Sequence, residues 1–339
     1  MQYTQLGSSG LTVSRLAFGA STFTSGDASL PGFYKAGPEV AARLVGQAID
    51  GGITYFDTAD VYAGGQSEEL LGAALKPHRE RVVLSTKVGN RDVHSPPDAG
   101  LSRSHVLRSI DGSLARLSTS HVDLYIAHRV DTLVPLEETL AAFDEVVRAG
   151  KARAIGYSNW PAWLVAAAIS MQRANGWAVF SHGQMYYSLL GRDVERDTAP
   201  MMQLFGIGMS VWSPLAYGFL AGGYTAEDMA RSDNRFARTD WLRFDRERAF
   251  ALLPLLREIA AANHCSMAQL AIAWLLTRPC VDTVLLGATK QHQLADNLGA
   301  AQVKLGEEDL ARIDAATATL PQYPTSQWVE AMLPKGKRK

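Results

Sequence analysis

Short apolar runs alternate with longer amphipathic segments along most of the chain. The run 122–127 does not alternate strictly between apolar and polar residues, which is typical of strands covered on both faces of a parallel sheet. The segment 136–147 instead spaces its apolar side chains three or four residues apart, so they share one face of a helix. Strands that alternate with helices of this length indicate parallel β-α-β units.

The pattern predicts eight strands, the number that closes a (β/α)8 barrel. The predicted strands span 16–19, 53–57, 82–87, 122–128, 152–157, 179–184, 208–212 and 282–286. The predicted helices span 39–51, 67–75, 104–117, 136–149, 160–175, 197–205, 247–263, 266–277, 290–300 and 306–317. An open, doubly wound sheet would share this pattern, but no Gly-x-Gly-x-x-Gly motif opens a first β-α turn.

Two further features complete the predicted architecture. Short β-prone pieces within residues 2–13 surround Gly7 and Gly10 and predict an N-terminal hairpin that caps the bottom of the barrel. The last predicted helix is additional to the barrel. We therefore predict an α/β protein, a single (β/α)8 TIM barrel over residues 1–325 with a β-hairpin cap and an extra C-terminal helix, followed by a tail, 326–339.

Composition narrows the classes of partner. The chain has 339 residues, 47% of them hydrophobic, and its 33 basic and 34 acidic residues leave a net charge of −1, so no nucleic acid or anionic membrane is expected as a partner. No apolar stretch reaches the roughly 18 residues needed to span a bilayer, and the N-terminus has no secretory pattern; a cytoplasmic location is expected. The two cysteines, Cys265 and Cys280, have no metal-ligand spacing, and no metal site is predicted.

Polar residues follow several of the predicted strands. Asp57 ends one strand and Tyr62 lies in the next loop, while Lys87 and His128 end two later strands. Each of these residues has an ordinary explanation as a cap, a turn or a surface residue. Their occurrence at the C-terminal ends of different strands favours chemistry, because a barrel brings those ends to one rim.

The segments Asp57-Thr-Ala-Asp-Val-Tyr62 and Ser85-Thr-Lys87, together with His128, resemble the proton-relay tetrad of the aldo-keto reductases. The C-terminal half resembles the branch that contains the voltage-gated potassium channel beta subunits. The resemblance implies that Tyr62 is the general acid in carbonyl reduction and that Lys87 lowers its pKa. Asp57 would then pair with Lys87, and His128 would donate a hydrogen bond to the carbonyl.

The same resemblance implies a nicotinamide cofactor. Amide and hydroxyl groups would orient the carboxamide, an indole would stack on the nicotinamide, and glycine-rich turns together with a helix N-terminus would hold the phosphates and adenosine. The residues implied are Ser158, Asn159, Gln184, Trp212, Ser213, Pro214, Leu215, Gly218, Leu220, Gly287, Thr289, Lys290, Gln293, Asp296 and Asn297.

Two positions depart from the family pattern. Gly223 stands where the channel-subunit branch usually has lysine, and Gln293 stands where many reductases have arginine. Both missing cations bear on the 2′-phosphate that separates NADPH from NADH. NADPH is the predicted cofactor, with Lys290, Arg235 or Arg238 as compensating cations, and NADH is the alternative.

The predicted function is NADP(H)-dependent hydride transfer between nicotinamide and a small-molecule carbonyl or alcohol substrate. The alternative from another class is a regulatory subunit that senses a nucleotide with little turnover. A barrel hydrolase or isomerase that pairs Asp57 with Asp60 gains no support from Lys87 or His128.

Neither the substrate nor the oligomeric state follows from the sequence. An apolar mouth and ordinary loop packing explain the aromatic residues Phe23, Phe33, Tyr34, Trp160 and Tyr187, and the segment 224–245, equally well.

Overall fold

A closed barrel of eight parallel strands, β3 to β10 in chain order, forms the centre of the fold. The computed structural model describes residues 1–26, 36–91, 95, 99–230, 242 and 244–319. The strands are β1 (Tyr3–Gln5), β2 (Thr12–Ser14), β3 (Leu16–Gly19), β4 (Tyr55–Asp57), β5 (Val83–Val88), β6 (Val122–Ala127), β7 (Ala152–Ser158), β8 (His182–Tyr186), β9 (Gly208–Trp212) and β10 (Thr283–Leu286). The predicted barrel class is confirmed.

Helices surround the barrel and cover its outer face. They are α1 (Pro38–Asp50), α2 (Gln66–Leu75), α3 (Arg103–Leu117), α4 (Leu136–Arg148), α5 (Ala162–Ala174), α6 (Thr198–Phe205), α7 (Ala226–Ala230), α8 (Arg246–Ala262), α9 (Met267–Leu276), α10 (Gln291–Gly299) and α11 (Glu307–Thr317). The last of these is the additional C-terminal helix. No single helix in the described ranges is long and apolar enough to cross a membrane, although α8 and α9, bent by 87° at their junction, meet the length and composition requirements as a pair.

The N-terminal hairpin closes one end of the barrel, as predicted. Strands β1 and β2 pair antiparallel, and Leu6, Leu11 and Val13 pack against the apolar side chains inside the barrel. The Asp282 carboxylate accepts hydrogen bonds from the backbone of Gly7 and of Met209. The opposite, C-terminal end of the strands therefore carries the open rim.

Strand β8 begins three residues later than its predicted start at residue 179. The amide of Ala178 donates to the Asp144 carboxylate, and the amide of Phe180 donates to the side-chain oxygen of Gln172. Side chains of α4 and α5 thus take backbone donors that a strand would have used. The short helix α7 was not predicted.

Several predicted features lie outside the described residues: Phe33, Tyr34, Arg235, Arg238 and the tail 326–339. Of the remaining aromatic candidates for an apolar mouth, Phe23, Trp160 and Tyr187 are at most 2% exposed. These three side chains pack in the core, so the packing alternative holds for them.

Candidate active site

A buried ion pair lies at the rim of the barrel. Asp57 ends β4, and Lys87 lies near the end of the adjacent strand β5, so both side chains reach the same rim. The Lys87 ammonium donates to Asp57 Oδ2 at 2.6 Å, to the carbonyl oxygen of Thr58 at 2.7 Å and to the Tyr62 hydroxyl at 3.4 Å. Burial by itself lowers the pKa of Lys87, but the Asp57 carboxylate and Tyr62 outweigh it, so the pKa lies above its ordinary value. The ammonium is therefore charged at neutral pH.

Tyr62 reaches the ammonium because of the turn that follows it. Ala63, Gly64 and Gly65 all have positive φ, and two glycines accommodate this left-handed path without a Cβ clash. Helix α2 then begins at Gln66, directly beyond the glycines as predicted. Lys87 Nζ lies 4.9 Å from the centre of the Tyr62 ring. The phenol is thus held beside a positive charge that favours its ionised form.

His128 completes the group directly after β6. Its ring meets the Tyr62 ring edge-on at 5.7 Å, and its Nδ1 is shielded from solvent with no hydrogen-bond partner in the described part of the chain. Burial, with the charges of Lys87 and Arg129, holds the pKa of His128 well below its ordinary value. The imidazole is neutral at working pH and keeps one N–H donor. The structure therefore brings together all four residues that the sequence indicated.

The second oxygen of Asp57 has two further donors. The Ser85 hydroxyl donates to Asp57 Oδ1 at 2.6 Å, and the Gln184 amide nitrogen donates to the same oxygen at 3.0 Å. No role for Ser85 was predicted from the sequence. Its position two residues before Lys87 could have indicated one, because alternate residues of a strand face the same side.

Asp60 faces different partners from Asp57. The fully buried Glu68 accepts from Arg116 at 2.6 Å and from Thr86 at 2.5 Å. Burial and the nearby Glu68 carboxylate raise the pKa of Asp60 to about 7. Asp57 pairs directly with Lys87, whereas Asp60 interacts mainly with the Glu68 carboxylate and less with Arg116 and Lys87. This arrangement does not favour Asp57 and Asp60 as a catalytic pair of carboxylates.

The residues expected at the carboxamide lie at the ends of β7, β8 and β9. Asn159 follows β7, and its side-chain oxygen accepts from the Trp212 indole N–H at 3.1 Å and from the Tyr186 amide at 3.1 Å. Its amide nitrogen donates to the Ser158 hydroxyl at 3.0 Å. Asn159 therefore fixes the orientation of the indole that is expected to stack on nicotinamide.

The segment after β9 has a strained backbone. Of seven non-glycine residues with positive φ in the described ranges, four lie in segments expected to hold the cofactor: Asn159, Ser213, Ala216 and Tyr217. Such conformations are costly for residues with a Cβ and cluster at ligand sites. Pro214 and Leu220 are buried, Leu215 and Gly218 are partly exposed, and the Gly218 φ of 92° continues the left-handed path.

The remaining cofactor candidates surround the start of α10, after β10. A Cβ placed on the exposed Gly287 would meet nothing within 4 Å, so the backbone there is open to close approach. The Gln293 side-chain oxygen accepts from both the amide and the hydroxyl of Thr289. Lys290 is exposed at the start of the helix.

Asp296 and Asn297 are less available to a ligand than the sequence suggested. The Asp296 carboxylate accepts from the Ser266 hydroxyl at 2.7 Å and from Gln269 at 3.0 Å, at the N-terminus of α9. Asn297 is 5% exposed. The role of these two residues in holding adenosine stays a prediction.

The fold and the geometry define a class of protein: a (β/α)8 barrel with a cluster of titratable side chains at its rim, beside a glycine-rich segment with a strained backbone. The profile of the aldo/keto reductase family matches residues 15–318. Among curated proteins, a "Probable voltage-gated potassium channel subunit beta" of Oryza sativa subsp. japonica is 35% identical over 338 residues, which cover 96% of this chain and 99% of the relative. The "Versiconal hemiacetal acetate reductase" of Aspergillus parasiticus is 33% identical over 335 residues, covering 93% and 96%.

A "Probable voltage-gated potassium channel subunit beta" of Arabidopsis thaliana is likewise 33% identical over 338 residues, covering 96% of this chain and 99% of the relative. The chain belongs to the aldo/keto reductase family. This membership and the presence of a reductase among the relatives support oxidoreductase activity.

Proposed function

We propose that the protein is an NADP(H)-dependent reductase that transfers a hydride between nicotinamide and a small-molecule aldehyde, ketone or alcohol. The observation that carries this proposal is the contact of the buried Lys87 ammonium with both Asp57 and the Tyr62 hydroxyl. A phenol beside a buried cation is suited to donate a proton to an oxygen on which negative charge develops.

Each residue of the group has a definite part in this reaction. When bound, a nicotinamide cofactor would supply or accept the hydride. Tyr62 gives its proton to the carbonyl oxygen, and Lys87 stabilises the phenolate that remains. Asp57 keeps Lys87 charged and in place. His128, held neutral, donates a hydrogen bond that orients the carbonyl.

The polar groups at the rim support a dinucleotide as the cofactor. Ser158, Asn159 and Gln184 are amide and hydroxyl groups of the kind that hold a carboxamide, and the Asn159–Trp212 hydrogen bond orients an aromatic face beside them. NADPH is the proposed cofactor, supported by the exposed Lys290 at the N-terminus of α10. Gln293 stands where many reductases have an arginine, and its side-chain oxygen already accepts from both donors of Thr289. NADH is therefore the competing cofactor to test.

A direct assay tests the proposal. Purified protein is mixed with NADPH or NADH and a panel of aldehydes and ketones, and the loss of cofactor absorbance is followed. Turnover with tighter binding of NADPH than of NADH is the expected result.

Tyr62→Phe should lower kcat by about a hundredfold or more, since general acid catalysis contributes about 10²–10⁴-fold. Nucleotide affinity, measured by quenching of tryptophan fluorescence, should be unchanged. Full turnover by Tyr62→Phe would remove Tyr62 as the acid.

A regulatory subunit that senses nucleotide is the second candidate. Its support is the name that the two plant relatives carry. Slow turnover on every carbonyl, combined with slow nucleotide release and a stable complex with a partner protein, would favour it over the reductase.

A further inference from the structure

A layer of polar side chains lies inside the barrel, one step below the rim. Tyr55, Ser85, His182 and Ser210 are each fully buried. Each lies two residues before a rim residue on its strand, respectively before Asp57, Lys87, Gln184 and Trp212. Alternate residues of a strand face the same side, so this inner layer continues the site into the barrel.

Ser85 links the inner layer to Asp57. Its oxygen lies 2.6 Å from Asp57 Oδ1 and 3.1 Å from the Tyr55 hydroxyl. A hydroxyl has one proton, and an ionised carboxylate can only accept, so Ser85 donates to Asp57 and accepts from Tyr55. Burial and the nearby Asp57 hold the pKa of Tyr55 well above its ordinary value, so Tyr55 stays a neutral donor.

The rest of the inner layer supports Tyr55 without adding a charge. Ser210 and Gln184 lie near the Tyr55 hydroxyl, and His182 Nε2 lies 2.8 Å from the Ser210 hydroxyl. Burial, with a smaller effect of Lys87, lowers the pKa of His182 to about 3. Gly156, on the neighbouring strand, leaves no room for a side chain, because a Cβ there would lie 2.6 Å from the His182 carbonyl oxygen. The titratable groups that interact with Asp57 or with its partner Lys87 are Tyr55, Asp60, Tyr62, His128 and His182.

We propose that Tyr55 and Ser85 form a hydrogen-bonded relay that positions Asp57 for the reaction, an inference that rests on the function proposed above. With Gln184, the relay saturates Oδ1 and leaves Oδ2 to Lys87. The relay also points two donor dipoles at the Asp57 carboxylate. Those dipoles offset part of its negative charge, so the electrostatic potential at Lys87 and Tyr62 is more positive and the phenolate of Tyr62 is favoured.

Tyr55→Phe removes one hydroxyl without changing the shape of the ring, and Ser85→Ala removes the donor that touches Asp57. Both variants should shift the formation of the Tyr62 phenolate to higher pH, by about 0.5 to 1 pH unit. This is measured by near-ultraviolet difference absorbance between each protein and the same protein carrying Tyr62→Phe. The kcat should fall about fivefold to tenfold, while KM and nucleotide affinity stay unchanged.

Tyr157→Phe is the matched control. Tyr157 is also a fully buried barrel tyrosine, but its hydroxyl has no hydrogen-bond partner in the described ranges. In this variant, the pH at which Tyr62 is half ionised and the kcat should be the same as in the unsubstituted protein. Thermal unfolding of all variants checks that each is folded.

The double variant decides whether the two residues act in series. If Tyr55 acts through Ser85, Tyr55→Phe adds little once Ser85→Ala is present. Additive shifts, or a Tyr55→Phe variant that matches Tyr157→Phe in both measurements, would overturn the relay. A shifted phenolate midpoint in a protein that reduces no carbonyl would instead uphold the relay and reject the proposed reductase.

Discussion

At the scale of single residues, Asp60 shows how the surroundings of the site affect stability. Its Oδ1 is shielded from solvent and has no hydrogen-bond partner in the described ranges, and its pKa is raised from 3.8 to about 7. An acid whose pKa is higher in the folded state binds more protons there than in the unfolded state. Its ionisation therefore opposes folding progressively as the pH rises from about 4 to about 7.

Asp60→Asn should remove this opposition. At about pH 8 we expect the variant to unfold at a higher temperature than the unsubstituted protein, with a free energy of unfolding larger by at least about 1 kcal/mol. This difference in stability should become smaller towards pH 4. Thermal unfolding across this pH range is the measurement. A variant that is less stable by the same amount at every pH would contradict the assigned cause.

The residues of the site differ in how far the sequence indicated them. Asp57, Lys87 and His128 stand out because each ends an apolar run where a loop begins. Tyr62 stands out because it follows Asp57 in the next loop. Tyr55 and Ser85 lie inside such runs, and only the closed barrel shows that their side chains share an enclosed polar layer. Asp296 looked available for adenosine, but its carboxylate accepts from Ser266 in the preceding helix, a contact between segments that spacing does not reveal.

At the scale of elements, Asp314 fastens the C-terminal helix α11 to the barrel. Its carboxylate accepts from the Trp274 indole N–H at 3.0 Å, from Arg278 at 3.0 Å and from Arg192 at 3.1 Å. Both guanidinium groups also lie over the Trp274 ring, at 5.1 Å for Arg192 and 4.6 Å for Arg278. Removal of the carboxylate would leave two cations and an indole donor without their shared acceptor.

Asp314→Ala should therefore lower the free energy of unfolding by about 1–2 kcal/mol, a figure discounted for the partial exposure of the carboxylate. Glu308→Ala, an exposed substitution on the same helix, is the control and should change it by less than about 0.5 kcal/mol. The measurement is the shift in unfolding midpoint. Equal effects of the two substitutions would show that Asp314 is not the fastening residue.

The elements were well predicted because strong apolar periodicity fixes their type. The predicted start of β8 was wrong because the Phe180 amide donates to Gln172, and the Ala178 amide, just before the predicted start, donates to Asp144. Both acceptors lie on neighbouring helices. That competition depends on tertiary packing, which local pattern does not contain. The five-residue helix α7 is too short to show a period of its own.

At the scale of the whole molecule, the hairpin that closes the barrel depends on a close backbone approach. A Cβ on Gly7 would lie 2.0 Å from the Gly208 nitrogen, and Gly7 has a φ of +50°. Gly7→Ala should destabilise the protein by at least about 2 kcal/mol more than Gly10→Ala. Gly10 also has positive φ, but a Cβ there meets nothing within 4 Å, so this control isolates the clash from the backbone strain. Similar thermal midpoints for the two variants would contradict the close approach.

The hydrogen bond from Gly7 to Asp282 joins residues 275 positions apart. During synthesis, the hairpin is therefore made long before Asp282, the acceptor of its backbone hydrogen bond. Leu6, Leu11 and Val13 also belong to the same apolar cluster as Leu285, so their surroundings are incomplete until that residue is made, and uncovered apolar surface invites association with other chains. The hairpin can therefore reach its final packing only after the last barrel strand, β10, has been made.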